Sequence, residues 1–463
     1  MRKHSLLITG GTVIFPEQNK AEKLNIAISD GKIAAMGVCT PDAVCVIDAD
    51  GLYISPGFID SHIHDEEADG GEGIEKALLR QGVTTAIAGN CGCGPLAENI
   101  LPFRQNPWLN LGYLTGHTKL REAAGVTDIY AAAGEKEIEQ MKLLLDKELE
   151  GGSFGVSIGL EYLPNTSLQE IEALLEVVAR FENRWVPIHI RKDGPKAVDA
   201  VDEVLDLAEK WPVRIQLSHL GSMAGFGQLG KVLEHIENAK SKGADVTFDC
   251  YPYSAFCTHL GSAVFDPGFE ERWGKGLESL EIASGPYRGK RLSEEDLYNR
   301  LRKEDPETFI VAHVIKQDEV ELCLSHPDCA VASDGALLEG HGHPRAAGTF
   351  PRAIRMLVDK GVSWPEAIRK CTSLPANMNW LGKGVIKEGA DADLVIFDGD
   401  RLKDNATFAD DLLPPDGIEW VIIGGIPAVR GKEILGGAKG RLLSRRLHSF
   451  CDYCYPMHDI NCC

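Results

Sequence analysis

The chain has 463 residues and a formal charge of −21 at neutral pH, with 44% hydrophobic and 25% charged residues. That length supports a large buried core, the composition is ordinary for a soluble globular protein, and the negative balance argues against nucleic acid or an anionic membrane as partner. No apolar run approaches the ~20 residues needed to span a bilayer.

The first residues, Met1-Arg2-Lys3-His4-Ser5-Leu6-Leu7-Ile8, start like a signal peptide but reach Gly10-Gly11 too soon for an apolar core of that kind. They read as the first strand of the mature fold, which places the protein in the cytoplasm. Residues 5–50 continue as short strands with Gly10-Gly11 and Asp30-Gly31 as turns, and contain no helix.

From residue 54 the rhythm changes. The run Tyr53–Ile59 leads into Asp60-Ser61-His62-Ile63-His64-Asp65. Side chains two apart share a face of a strand, so His62 and His64 project together from a strand end, and imidazole is a common ligand for zinc-type metals. Strand-like runs at 83–89, 109–115, 154–160, 185–191, 213–219, 246–253, 309–315 and 329–334 then alternate with amphipathic helices. One helix opens on Ser167 and Glu170 at capping-box spacing, with Ile171, Leu174, Leu175 and Val178 on one face. This alternation means parallel strands with crossover helices. Roughly eight repeats predict an α/β fold of the (β/α)8 TIM-barrel type, with one candidate strand to spare. Residues 261–306 break the repeat and look like an insertion near the barrel mouth. After Leu381 strand character returns, at 385–386, 394–397, 420–423 and 428–429. The simplest architecture joins residues 1–53 and 381–446 into one small β-domain beside a barrel of residues 54–380.

Function in such a barrel sits at the C-terminal strand ends. The titratable residues there are His62, His64, Cys91 in Gly89-Asn90-Cys91-Gly92, His189, His219 and Asp334. A thiolate, four imidazoles and a carboxylate make a zinc-type donor set. A cation held there lowers the pKa of water and polarises a carbonyl, and Asp334 can take the proton and pass it to a leaving amine. That is a hydrolase design for an amide or ester. His313 reads as core and His117 as a loop residue near the mouth. The 13 cysteines, odd in number and without a framework pattern, read as reduced core residues or ligands. The tail Cys451-Asp452-Tyr453-Cys454…His458…Cys462-Cys463 fits no established zinc spacing, and residues 447–463 read as a disordered, non-essential tail.

These motifs, with Gly116-His117-Thr118-Lys119-Leu120-Arg121, Ser218-His219, Tyr251-Pro252-Tyr253, Ser333-Asp334-Gly335, His343-Pro344-Arg345 and Gly389-Ala390-Asp391-Ala392-Asp393, resemble the amidohydrolase superfamily and, within it, the D-aminoacylases, from about residue 5 to 446. The resemblance implies a TIM barrel with a β-sandwich built from both termini, one or two Zn2+ ions, Cys91 as a bridging ligand, a tighter site with His189 and His219 and a weaker one with His62 and His64, and Asp334 as catalytic acid/base. It further implies Arg345 and Tyr251 at the substrate carboxylate, Tyr162 in a loop lining the pocket, and a small N-acyl-amino-acid substrate. A homo-oligomer is compatible with it. One departure is Gly221, where many members carry a lysine two residues after the histidine of the Ser-His motif. A cyclic-amide hydrolase of dihydroorotase or hydantoinase type usually needs a strand lysine, which 154–160 lacks, and a non-catalytic scaffold is expected to lose ligands, none of which is lost here.

Overall fold

A computed structural model describes residues 3–65, 72–94, 96 and 106–445; the cysteine-containing tail lies outside the described residues. Eight strands form the barrel: β1 (Phe58–Ile63), β2 (Val83–Ala88), β3 (Asn110–Tyr113, continued by Thr115–Gly116), β4 (Val156–Gly159), β5 (Trp185–His189), β6 (Arg214–Leu217), β7 (Val246–Cys250) and β8 (Cys329–Val331). Each pairs in parallel with the next. The ring closes where Ile63 pairs with Gly335, the Asp334 amide donates to the His62 carbonyl at 2.9 Å and the His64 amide to the Gly335 carbonyl at 2.9 Å. That closing seam brings two ligand candidates together from opposite ends of the barrel sequence.

The spare strand is Phe309–Ala312. It is buried and apolar like a barrel strand, but it pairs antiparallel with Phe256–His259 and Leu280–Ile282 in a separate three-stranded sheet. A short apolar run carries no mark of which sheet will receive it. The insertion, which supplies the second of these partners, also holds the helices Phe269–Trp273 and Glu295–Glu304.

Crossover helices wrap the ring, and their ends follow local chemistry. Helix Leu168–Val178 starts where the Ser167 hydroxyl accepts from the Glu170 amide at 3.1 Å. The Glu170 carboxylate does not reach back to complete the box. It accepts from Arg121 at 2.6 and 2.8 Å and lies 2.8 Å from His117 Nε2. His117 is therefore not a loop residue at the mouth. It opens helix His117–Ala123, fully buried, in an ion cluster that ties two helices together. His313 is only half-buried and lies 3.0 Å from Glu281, so it is not core.

Both chain ends build a β-sandwich. One sheet orders strands Lys32–Gly37, Asn25–Ser29, His4–Thr9 and Ala43–Asp48. The other runs from Glu433–Ile434 through Ile426–Arg430, Ile418–Ile423, Leu394–Phe397, Tyr53–Pro56 and Thr12–Phe15 to Lys20–Lys23. Their inner faces share one core, with Ile8, Ile26 and Ile28 against Val13, Ile54, Leu394 and Ile422. Val385-Ile386 is not a strand, although Ile386 is buried in that core. The run expected as one strand from Tyr53 is divided at Gly57 between sandwich and barrel. The aspartates of Gly389-Ala390-Asp391-Ala392-Asp393 join the two bodies: Lys383 lies 2.7 Å from Asp391 and 2.6 Å from Asp393, and Asp393 also accepts from Asn110 of β3 at 3.0 Å. Past the sandwich the chain returns to the barrel, where Leu442 pairs with Leu111. No helix among the described residues is long and apolar enough to cross a membrane.

Candidate metal centre and active site

The six residues expected to converge do so at the C-terminal mouth. His62, His64, Cys91 and Asp334 offer donor atoms that all lie within 4.8 Å of one another, and so do Cys91, His189 and His219. Cys91 belongs to both groups. Its Sγ is 3.3 Å from His62 Nε2 and 3.5 Å from His219 Nε2. Asp334 Oδ1 is 3.1 Å from His64 Nε2 and 3.3 Å from His62 Nε2. All are buried except His64, which is half-buried.

The backbone reaches this arrangement by turning sharply at strand ends. Cys91, His219 and Asp334 adopt left-handed conformations, with φ of 52°, 35° and 49°, each costing of order 1–2 kcal/mol for a residue with a Cβ. Gly159 makes room for the Cys91 turn: a Cβ there would sit 2.2 Å from the Cys91 carbonyl oxygen. Two buried aspartates that sequence reasoning missed hold the ligand-bearing loops. Asp60 accepts from the amides of His62 at 3.2 Å and Ser333 at 3.0 Å. Asp249 accepts from the His219 amide at 2.7 Å and lies 3.5 Å from His62 Nδ1. Both sit on buried strands among apolar residues, where a carboxylate must find compensating donors.

Electrostatics favour a cation. Burial pushes the Cys91 thiol up, but His62, together with the neighbouring His189 and His219 imidazoles, outweighs burial and holds it well below the ordinary thiol range. Burial likewise raises the Asp334 carboxyl, and Arg345, His219 and His62 outweigh it and hold it well below the usual range. Burial lowers His62, but Cys91, Asp249 and Asp334 raise it to about 10; His189 is raised to about 9 by Cys91 and Glu161 over the same opposition. A buried thiolate and carboxylate that draw protons onto neighbouring imidazoles draw a metal ion in the same way. Soft thiolate with imidazole and carboxylate is a donor set for zinc-type metals. His189 Nδ1 is buried with no hydrogen-bond partner among the described residues, which leaves its lone pair for a cation. The residues present fit a divalent metal.

Beside the centre is a pocket lined in part by Tyr162, His219, Tyr251, Met223, Phe256 and Asp334. Tyr162 packs on the His189 ring at 4.6 Å, and its hydroxyl accepts from Thr258 at 3.3 Å. Arg345, 2% exposed, opens helix Arg345–Asp359. Its Nη1 is 2.8 Å from Asp334 Oδ2, its guanidinium lies 4.7 Å over the Tyr251 ring, and its Nη2 donates to the Cys257 carbonyl at 3.2 Å. The Arg345 Nε and the Tyr251 hydroxyl are buried without hydrogen-bond partners among the described residues. Buried donors left unpaired on two residues in ring contact are available to an anionic oxygen. A Cβ at Gly221 would meet Cys250 Sγ at 2.4 Å, so the direction a side chain would take there is filled by that thiol. His343, at the turn before Arg345, packs against Tyr253 and accepts from the Arg345 amide at 3.0 Å.

Comparison with known proteins agrees with this geometry. Residues 299–429 match the amidohydrolase family. An N-acyl-D-glutamate deacylase of Alcaligenes xylosoxydans xylosoxydans is 31% identical over 96% of this chain and 97% of its own length. The chain belongs to the amidohydrolases, in the N-acyl-D-amino-acid deacylase family. An N-acyl-D-aspartate deacylase of the same organism is 30% identical over 95% of this chain and 94% of its own. The crystal structure of the N-acyl-D-glutamate deacylase from Bordetella bronchiseptica, complexed with zinc and a phosphonate mimic of the tetrahedral intermediate, superposes with a TM-score of 0.84 at 28% identity, covering 96% of this chain and all of that one. This deacylase-family chain is thus a hydrolase on an amidohydrolase TIM barrel.

Proposed function

We propose that the protein removes the acyl group from N-acyl-D-amino acids, with one or two zinc ions at the centre. The observation that carries this reading is the juxtaposition of the Cys91-centred donor set with the unpaired donors of Arg345 and Tyr251, at opposite sides of Asp334. Cys91, His189 and His219 would form the tighter site, and His62 and His64, with Cys91 and Asp334, the weaker one. A cation bound there supplies Lewis-acid polarisation of the acyl carbonyl and a lowered pKa for the attacking water.

The chain's own residues do the rest. The Arg345 fork and the Tyr251 hydroxyl hold the substrate's α-carboxylate, which orients the acyl carbon toward the donor set. Tyr162, packed on His189, closes one wall. Asp334, held ionised by Arg345 and the imidazoles, accepts the proton that water releases as its oxygen bonds to the acyl carbon. It then delivers that proton to the amide nitrogen as the C–N bond breaks. The products are a carboxylic acid and a free amino acid.

The test is a release assay over paired N-acyl-D- and N-acyl-L-amino acids with several side chains and acyl groups. Release from the D series, abolished by a chelator and restored by zinc, is expected. Release from neither series, or from the L series alone, overturns the reading.

A further inference from the structure

The metal-centre reading leaves Glu161 without a role, although it is 2% exposed in its side chain and stands against a proposed ligand. It lies just past β4, where the Leu160 amide donates to the His189 carbonyl at 2.9 Å and so fixes the height of the two loops relative to one another. Glu161 Oε2 is 3.3 Å from His189 Nε2. The other oxygen, Oε1, faces Arg272 Nη2 at 3.6 Å and Lys192 Nζ at 3.8 Å. Arg272 is itself anchored: its Nε is 2.6 Å from Asp193 Oδ1, and Asp193 Oδ2 accepts from the Trp273 indole at 2.7 Å. Arg272 and Trp273 belong to the helix Phe269–Trp273 of the insertion, far along the chain from β4.

We propose that Glu161 is a positioning residue for the metal centre, taking the Nε2–H of His189 so that Nδ1 is the nitrogen left for the cation, and that the insertion holds Glu161 in place through Arg272. A histidine has two ring nitrogens, and whichever carries the proton cannot ligate; an acceptor on one nitrogen selects the tautomer and fixes the ring plane. The geometry carries that choice here, because Nδ1 is the nitrogen that is buried with no hydrogen bond among the described residues. Glu161 is outside both groups of converging donors, so it acts through His189 rather than as a ligand. Arg272 and Lys192, facing the far oxygen, supply opposite charge beside a carboxylate in a buried wall.

The proposal rests on Cys91, His189 and His219 binding metal, and the experiment separates the two. Zinc affinity of the full chain is measured by competition with a chromophoric chelator at fixed pH, for wild type, Glu161→Leu, Glu161→Gln and Arg272→Met. Leucine fills the space but accepts nothing; glutamine keeps a carbonyl acceptor for the Nε2–H. The expected result is a loss of about 10–100-fold for Glu161→Leu, the usual range for outer partners of a metal-binding histidine, a smaller loss for Arg272→Met, and near-wild-type affinity for Glu161→Gln. Equal affinity in wild type and Glu161→Leu overturns the role of Glu161 and leaves the centre standing, as does a loss in Glu161→Gln as large as in Glu161→Leu. A wild-type chain that takes up no zinc overturns the centre itself. Should Glu161→Leu fail to fold, Arg272→Met, which leaves the pocket carboxylate in place, decides: unchanged zinc affinity refutes the relay from the insertion.

Discussion

Replacing Asp334 with asparagine tests the core of the mechanism, because the two side chains have the same shape and only one can carry a proton. The aspartate makes three close contacts, 3.1 Å to His64, 3.3 Å to His62 and 2.8 Å to Arg345. General acid–base catalysis by a positioned group contributes about 10²–10⁴ in rate, which at ~1.4 kcal/mol per decade is roughly 3–5 kcal/mol of barrier. The substitution also strips the charge facing Arg345, a buried guanidinium, and breaking a buried pair costs about 3–5 kcal/mol of stability. The low end is expected here, since Arg345 keeps the Tyr251 ring and the Cys257 carbonyl. Asp334→Asn should therefore fold with a lowered Tm, retain metal at the Cys91–His189–His219 set, and lose at least a hundredfold in kcat with KM moving only a few fold. Elemental analysis of the purified variant and steady-state kinetics on an N-acyl-D-amino acid measure both quantities. A variant with kcat within tenfold of wild type refutes Asp334 as the proton carrier. If KM alone rises, the carboxylate serves to hold Arg345, and the proton route assigned above is wrong.

Other outcomes follow from the same contacts. Cys91→Ala removes the donor shared by both groups, so zinc retained against a chelator should fall by more than the 10–100-fold typical of outer partners; unchanged metal content would exclude the thiol as a ligand. Arg345→Lys keeps the charge but loses the fork. KM for N-acyl-D-amino acids should rise about tenfold or more, the equivalent of one charge-assisted hydrogen bond of ~1.5–3 kcal/mol, with a smaller change in kcat. Glu170→Ala strands buried Arg121 and His117 and should destabilise the fold by about 3–5 kcal/mol in urea unfolding, with metal content untouched. Asp391 has its carboxyl lowered from 3.8 to about 2, burial being outweighed by Lys383, Lys32 and Arg441. A depressed carboxylate stabilises above its unfolded pKa and loses that contribution as pH falls through its folded one, so about 2 kcal/mol should disappear between roughly pH 4 and pH 2. Wild type should lose that much more than Asp391→Asn across this window in denaturant midpoints.

Much of this protein is legible in its sequence. The two-residue spacing of His62 and His64, the position of Cys91, His189, His219 and Asp334 after apolar runs, and the alternation of strand and helix are local patterns. Local patterns survive in the linear order because strand period and strand end are properties of a few consecutive residues. From them came the barrel, a β-domain made of both termini, and the six residues that meet at the mouth.

What the linear order could not decide was partnership. Phe309–Ala312 has the composition of a barrel strand and pairs elsewhere; His117 stands in a family motif and turns out to anchor a helix through Glu170. Asp60, Asp249 and Glu161 gain their importance from groups as far as 273 residues away, as in the Asp60 contact to the Ser333 amide. A buried carboxylate is defined by what compensates it, and that compensation comes from whichever segment the fold brings alongside. Strand periodicity is written along the chain, whereas the neutralisation of a buried charge exists only once the ring of strands has closed.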